Sequence, residues 1–386
     1  MKDPLKKTLT RVLVQDQQAL IDLCQSFENS SLLAIDTEFV RTRTLYPRLG
    51  LLQVNNGEIL ALIDPITIAD LSPFWQLLSN ANICKVLHAC SEDLEVFLTA
   101  GNCKPVNLID SQVMMSFLGH GLSMGYAAMI EHFTGVALDK SESRTDWTKR
   151  PLTAKQIVYA EADVDFLFQV YPQLLSQLEQ SGWLVAAQQE TQMMIERKFT
   201  PINDQALYKN IKMSWRLNAE QLNQLKFLAS WRYLKAKQKN VPIGFIVKDH
   251  TLMAVAQNSP QNMGAMSELE GAETLDIKHQ GRAMLTVLKE ANQAESSTYP
   301  KKIMRLDEYP GYKQIFKQVK GFISKTAEES GLSPENLASK KQINQFLTWY
   351  FKLEGSNLST DNIDVLQGWR LLLFGEELQQ FALNDF

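Results

Sequence analysis

After Glu196 the β-strand pattern almost disappears from this chain, whereas the residues before it alternate strand-like and helix-like runs. Ser31–Val40, Gly50–Val54 and Glu58–Ile63 are short apolar or β-branched runs that predict strands. Phe74–Leu78 predicts a helix, Ile83–Leu87 a buried strand, and Ser91–Leu98 a helix with acidic residues in its first turn. Leu108–Ile109 predicts one more short strand. Thr153–Gln177 is a long amphipathic pattern opened by a capping box at Thr153 and Gln156, with a break expected near Pro172. Strands followed by strand–helix alternation specify an α/β domain whose mixed sheet is flanked by helices. Downstream, Asn218–Lys237 predicts a long helix, and Pro242, Pro260 and Gly271 punctuate shorter ones. The polar stretch 291–300 reads as a linker, and a second all-helical segment follows it. Phe227–Ala256 and Val319–Leu347 share a helix, a proline turn, a short apolar stretch and another helix, which suggests a weak internal repeat. We therefore expect three domains: 1–200, 208–291 and 300–386.

A chain of 386 residues exceeds one ordinary core, in line with that division. The charged start, Met1 to Lys7, leads into no apolar signal segment, and no run approaches a membrane span, so a cytoplasmic protein is expected. Cys24, Cys84, Cys90 and Cys103 include no C-x-x-C pair, which disfavours a zinc site and favours reduced cysteines used as apolar filler. The net charge of −4 is unevenly spread. Nine basic residues (Lys209, Lys212, Arg216, Lys226, Arg232, Lys235, Lys237, Lys239 and Lys248) face only Glu220 and Asp249 between Tyr208 and Leu252, and a second basic stretch runs from Lys301 to Lys325. One part of the chain can hold a polyanion that another part processes.

Asp36 and Glu38 stand two apart in an apolar strand and so project from one face. Side by side in a largely buried strand they repel unless a cation neutralises them, and oxygen-only ligands suit Mg²⁺ or Mn²⁺. Taken alone, the pair is more readily a solvated strand end. Asp93 lies in the first turn of a helix after a buried strand, and Tyr159 and Asp163 share one helical face. Each element is weak, and the ordered set is strong. Asp36, Glu38, Asp93 and Asp163 are enough to hold two divalent ions about 3.5–4 Å apart, as in phosphoryl transfer, with Tyr159 orienting the attacking water. Asp110 reads as a structural cap and Asp146 as a loop residue.

Three segments, Asp36 to Phe39, His88 to Asp93, and Tyr159 with Asp163, resemble the three exonuclease motifs of the DEDD superfamily in its tyrosine branch. The surrounding segments Asp36–Thr44, Leu49–Gln53, His88–Phe97, Leu138–Trp147 and Arg150–Leu152 are similar to the ribonuclease D family. The helical remainder resembles two HRDC modules, most visibly at Phe227 to Arg232, with the second module more divergent. The resemblance implies a ribonuclease-H-like fold for the first domain and 3′→5′ exoribonuclease activity dependent on divalent metal. It further implies release of nucleoside 5′-monophosphates and RNA partners such as tRNA precursors with 3′ extensions. The metal ligands it implies are Asp36, Glu38, Asp93 and Asp163, with Tyr159 beside the nucleophilic water.

A 3′ end enters such a site as a single strand, held by basic groups and stacking aromatics. Arg41, Arg43 and Arg48 flank Tyr46 and form one candidate wall of the access channel, while Lys140, Arg144 and Trp147 form another. Trp147 is equally readable as a core residue. A DNA exonuclease would share the metal site, and an inert RNA-binding scaffold is the alternative outside enzymes. A helicase is excluded, since no G-x-x-x-x-G-K-[ST] loop is present.

Overall fold

Leu33, Ala34 and Ile35 are fully buried, and the strand that contains them, Leu32–Val40 (β2), is the organising element of a six-stranded sheet. The computed structural model describes residues 9–353 and 360–384. The sheet also contains Thr10–Val14 (β1), Arg48–Asn55 (β3), Ile59–Ile63 (β4), Cys84–Leu87 (β5) and Leu108–Asp110 (β6), in the order β1-β4-β3-β2-β5-β6. β2 pairs antiparallel with β3 and parallel with β5; β3 pairs antiparallel with β4, and β1 and β6 add parallel edges. The expected mixed sheet is thus present. β1 was not foreseen from the sequence, because its apolar run, Val12–Val14, is only three residues long.

The helices of this sheet domain are Gln17–Phe27 (α1), Ser72–Ser79 (α2), Ser91–Gly101 (α3), Ser111–Phe117 (α4), Tyr126–Thr134 (α5), Ala154–Gln180 (α6) and Leu184–Phe199 (α7). α6 starts at the expected capping box: Gln156 N–H donates to Thr153 Oγ1, and Thr153 N–H to Gln156 Oε1. It runs through Pro172 without ending, contrary to the expected break. Ala160, Val164, Leu167, Tyr171, Leu174 and Leu178 form one buried stripe on both sides of the proline, and that burial outweighs one missing backbone hydrogen bond. At the β3–β4 turn Gly57 has φ +86, and an added Cβ would stand 2.5 Å from the Phe168 ring of α6.

By compactness the chain divides into two units: 1–40, 47–200 and 311–386 form one, and 41–46 and 201–310 form the other. Within the first unit, the C-terminal helices join the sheet domain through α7. Buried Arg370 pairs with Glu190 and donates to the carbonyls of Leu337 (2.6 Å) and Asn336 (2.9 Å), and Trp369 Nε1 donates to Glu190 at 2.9 Å. The second unit is built on Ala219–Lys239, Asp249–Asn258 and Thr274–Asn292 around Leu222, Leu225, Leu252, Val255 and Met284. Helix, short helix, helix recurs as Ala219–Lys239, Ile243–Ile246, Asp249–Asn258 and as Tyr312–Ser330, Pro334–Leu337, Lys340–Tyr350, the order expected of the repeat. Among the described residues, no helix is long and apolar enough to cross a membrane.

Candidate active site

β2 presents Asp36 and Glu38 on one face, and its pairing with β3 shifts register immediately after Glu38. Such a bulge bends the strand and re-aims the side chains beside it. α6 supplies Asp163, and carboxylate oxygens of Asp36, Glu38 and Asp163 lie within 4.8 Å of one another. Asp93 is 6% exposed in the first turn of α3 and stands beside this trio, and its Oδ1 accepts a hydrogen bond from the Thr37 hydroxyl. Its charge still acts on Glu38, and the charge of Asp36 acts on it.

The position of Asp93 depends on the turn before α3. Ala89 takes a left-handed conformation with φ 54, which is unfavourable for a residue with a Cβ. Asp110, at the end of β6, accepts from the Ala89 N–H at 2.9 Å and the Cys90 N–H at 2.8 Å. It also caps α4 by accepting from Gln112 N–H at 2.8 Å, so Asp110 is the structural cap its sequence context suggests. Three charge-assisted hydrogen bonds offset the cost of the turn. Asp146 caps Thr148 in an exposed loop.

Burial raises the Asp36 carboxyl well above the usual range, and Asp163 raises it further. Burial, then Asp36, Asp163 and Asp93, push Glu38 up to about 10. Burial pushes Asp163 up to about 8, and it likewise lifts Asp93, with Asp36 adding to the effect. Among the described residues, no lysine or arginine pairs with Asp36, Glu38 or Asp163. Their negative charges are therefore neutralised by protons or by bound cations, and an all-oxygen donor set fits a hard divalent ion. His88 is not available as a ligand: its Nε2 donates to the Met124 carbonyl at 3.0 Å and its Nδ1 pairs with the Ser111 hydroxyl at 2.9 Å.

Asp36 and Asp163 open on a cavity of about 740 Å³ whose walls also include His88, Tyr126, Lys140 and Tyr159. That volume is within the range of small-ligand sites and accommodates a nucleotide. Tyr126 was not singled out from the sequence. Its hydroxyl hydrogen-bonds the backbone carbonyls of Ala162 at 2.9 Å and Asp163 at 2.6 Å, and its ring meets His88 edge-on. Tyr126 thereby fixes the turn of α6 that carries Asp163. A lone tyrosine opening a short apolar helix gives no sign of this, because its partners lie thirty-six and thirty-seven residues away.

Trp147 offers no ring face to a base, which corrects the stacking role considered for it. It is 1% exposed and packs against Tyr159 with ring centroids 6.0 Å apart. A Cβ on Gly50 would stand 2.6 Å from the Trp147 carbonyl oxygen, so β3 accommodates the tryptophan segment only where it has glycine. Arg150 holds the contact together, donating to the Trp147 carbonyl at 2.9 Å, to the Gly50 carbonyl at 2.6 Å, and through Nε and an Nη to the carboxylate of Asp64 at 2.6 Å each. Of the other residues expected to meet RNA, Lys140 lines the cavity and Arg144 is exposed on the same segment. Arg41, Arg43 and Tyr46 belong to the second unit.

Comparison with known proteins completes the description. A family model described as 3'-5' exonuclease matches residues 12–179, one described as HRDC domain matches 221–288, and one described as Ribonuclease D, C-terminal HRDC domain matches 310–378. The chain is 42% identical to ribonuclease D of Cronobacter turicensis, over 96% of its own length and 100% of the relative's. It is 40% identical to ribonuclease D of Escherichia coli, over 95% and 96% respectively. The crystal structure of Escherichia coli RNase D, described as an exoribonuclease involved in structured RNA processing, superposes with a TM-score of 0.93 at 39% identity, covering 98% of this chain and 99% of that one.

Proposed function

The chain belongs to the ribonuclease D family of 3′→5′ exoribonucleases, and on that premise we propose that it trims tRNA precursors from their 3′ ends in the cytoplasm, releasing nucleoside 5′-monophosphates with two Mg²⁺ or Mn²⁺ ions. The supporting observation is the trio of carboxylates within 4.8 Å, of which Asp36 and Asp163 line a nucleotide-sized cavity, with Asp93 adjoining. Asp36, Glu38, Asp93 and Asp163 would hold the cations. When bound, two such ions supply an activated water and neutralise the charge developing on the departing 3′ oxygen. Burial raises the Tyr159 phenol above its ordinary value, and Asp163, Glu38 and Asp36 add to the shift. It therefore keeps its proton at neutral pH and serves as a hydrogen-bond donor that orients the attacking water rather than as a base. Lys140 and Arg144 are assigned to the incoming phosphates, and Arg41, Arg43 and Tyr46 are further RNA contacts. Residues 1–200 form the exonuclease domain in this reading, and 208–291 and 300–386 the two HRDC-like modules. The structured-RNA activity in the description of the Escherichia coli relative is consistent with a tRNA substrate.

The test is incubation with a 5′-labelled tRNA bearing a 3′ extension while the metal is titrated. Stepwise shortening from the 3′ side, stopped by chelator, is expected. Internal cleavage, or equal activity in chelator and in Mg²⁺, would refute the proposal. Metal should also stabilise the fold, because it relieves repulsion among buried carboxylates. At about a hundredfold excess over its dissociation constant, a single bound ion adds about 2.7 kcal/mol. Scanning calorimetry should show this as a rise in Tm that chelator reverses.

A further inference from the structure

Phe245 lies in the short helix Ile243–Ile246 of the second unit and is 54% exposed, while its neighbours Ile246 and Val247 are 4% and 0% exposed. The segment around it is held firmly. Buried Arg232 donates to the Val247 carbonyl at 2.9 Å and pairs with Asp249 at 2.7 Å, and the Lys248 N–H donates to Asp276 at 2.8 Å. The backbone around the ring is therefore fixed while the ring itself is presented to solvent.

Two cations flank the ring. The Arg43 guanidinium and the Lys248 ammonium each stand 6.0 Å from its centroid, at the outer limit of a cation–π contact. Arg43 reaches it because the loop 41–46 belongs to this unit, where the Tyr46 N–H donates to Asn240 Oδ1 at 3.1 Å. Lys237 and Lys239 lie in the last turn of the helix that Asn240 terminates, and the acid next to Lys248, Asp249, is already neutralised by Arg232. A half-exposed aromatic ring with two cations beside it fits a single-stranded nucleic acid, with a base against the exposed part of the ring and phosphates at the cations.

We infer that Phe245, with Arg43 and Lys248, forms a stacking subsite for an unpaired base of the RNA substrate. The inference rests on the exoribonuclease reading for the identity of the nucleic acid and adds a recognition element outside the carboxylate site. It predicts a preference for unpaired RNA with no preference among bases, since every base offers a π-face.

The experiment measures binding of a 5′-labelled oligouridylate to the full-length chain by fluorescence anisotropy, in Mg²⁺ and in an Asp36→Asn background so that the RNA persists. Phe245→Ala should raise Kd about tenfold and Phe245→Trp should preserve it. The Arg43→Ala, Lys248→Ala double variant should flatten the slope of log Kd against log salt by about 1.4. Binding of a blunt RNA duplex should not change in any of the three. Unchanged Kd for the alanine variant with an unchanged melting profile would overturn the inference, as would equal losses for alanine and tryptophan. Digestion by the Asp36-containing protein is scored separately: if it leaves the oligouridylate intact, the exoribonuclease reading fails whatever Phe245 does.

Discussion

Replacing Asp36 with asparagine should abolish RNA shortening, lowering kcat on the order of a thousandfold or more, while RNA binding in Mg²⁺ persists. A carboxylate that fixes the cations contributes several kcal/mol of transition-state stabilisation, and each factor of ten in rate corresponds to about 1.36 kcal/mol. The variant also carries a thermal signature of opposite sign. Asp36 is raised far above the usual carboxylate range by burial and by Asp163, so its charge is unfavourable in the metal-free fold. Asparagine removes that charge at nearly constant shape. Metal-free Asp36→Asn should therefore melt higher than the parent in chelator, while its own metal-induced rise in Tm should shrink or vanish. Rapid-quench kinetics and calorimetry on one preparation read both effects. An Asp36→Asn protein that still digests RNA at the parent rate would remove the carboxylate cluster from the chemistry.

The second large effect is expected away from the carboxylates. Arg150→Ala leaves Asp64, whose side chain is fully buried, without its charged partner. Breaking such a pair costs about 3–5 kcal/mol, which lowers Tm by roughly 5 °C in a protein of this size. Its pH dependence follows from the environment of Asp64. Burial alone would raise that carboxyl, but hydrogen bonds from Arg150, the Ile66 N–H and Gln15 outweigh burial and hold it below its ordinary value. In the parent, this stabilisation is complete above the unfolded-state pKa of about 4 and is lost as pH falls through the lower folded value. Without Arg150, only the Ile66 N–H and Gln15 remain to oppose burial, so the stabilisation that ionised Asp64 contributes above about pH 4 shrinks. The gap in Tm between parent and variant should thus be widest at neutral pH and close under acid conditions. A gap independent of pH would show that the lost contacts to Gly50 and Trp147, rather than the ion pair, matter most. Because Trp147 packs on Tyr159, kcat should fall with little change in KM.

The elements that surround the carboxylates were legible because each signals locally. β2 shows an apolar strand with acids two apart, and α6 shows a capping box and a regular apolar stripe. Asp110 could be placed as a cap because it ends an apolar strand-like pair. What stayed hidden depends on partners far along the chain. Tyr126 acts on carbonyls of α6, and Arg150 reaches back to Asp64 across eighty-six residues. Trp147 is core rather than surface because Gly50, on β3, leaves room for its backbone. Asp93 illustrates the same limit in finer detail. Its place in a helical first turn was readable, but its hydrogen bond with the Thr37 hydroxyl was not.

The order in which the acids occur along the chain bears on its synthesis. Asp36, Glu38 and Asp93 leave the ribosome before Asp163 and Tyr159, which arrive together on the helix that lies over the sheet. Domains made in this direction fold as units once their last packing element is available. A nascent chain thus has no closed acid cluster until α6 has emerged, and the message and tRNAs engaged on its own ribosome are exposed to a working nuclease only after the sheet has been covered.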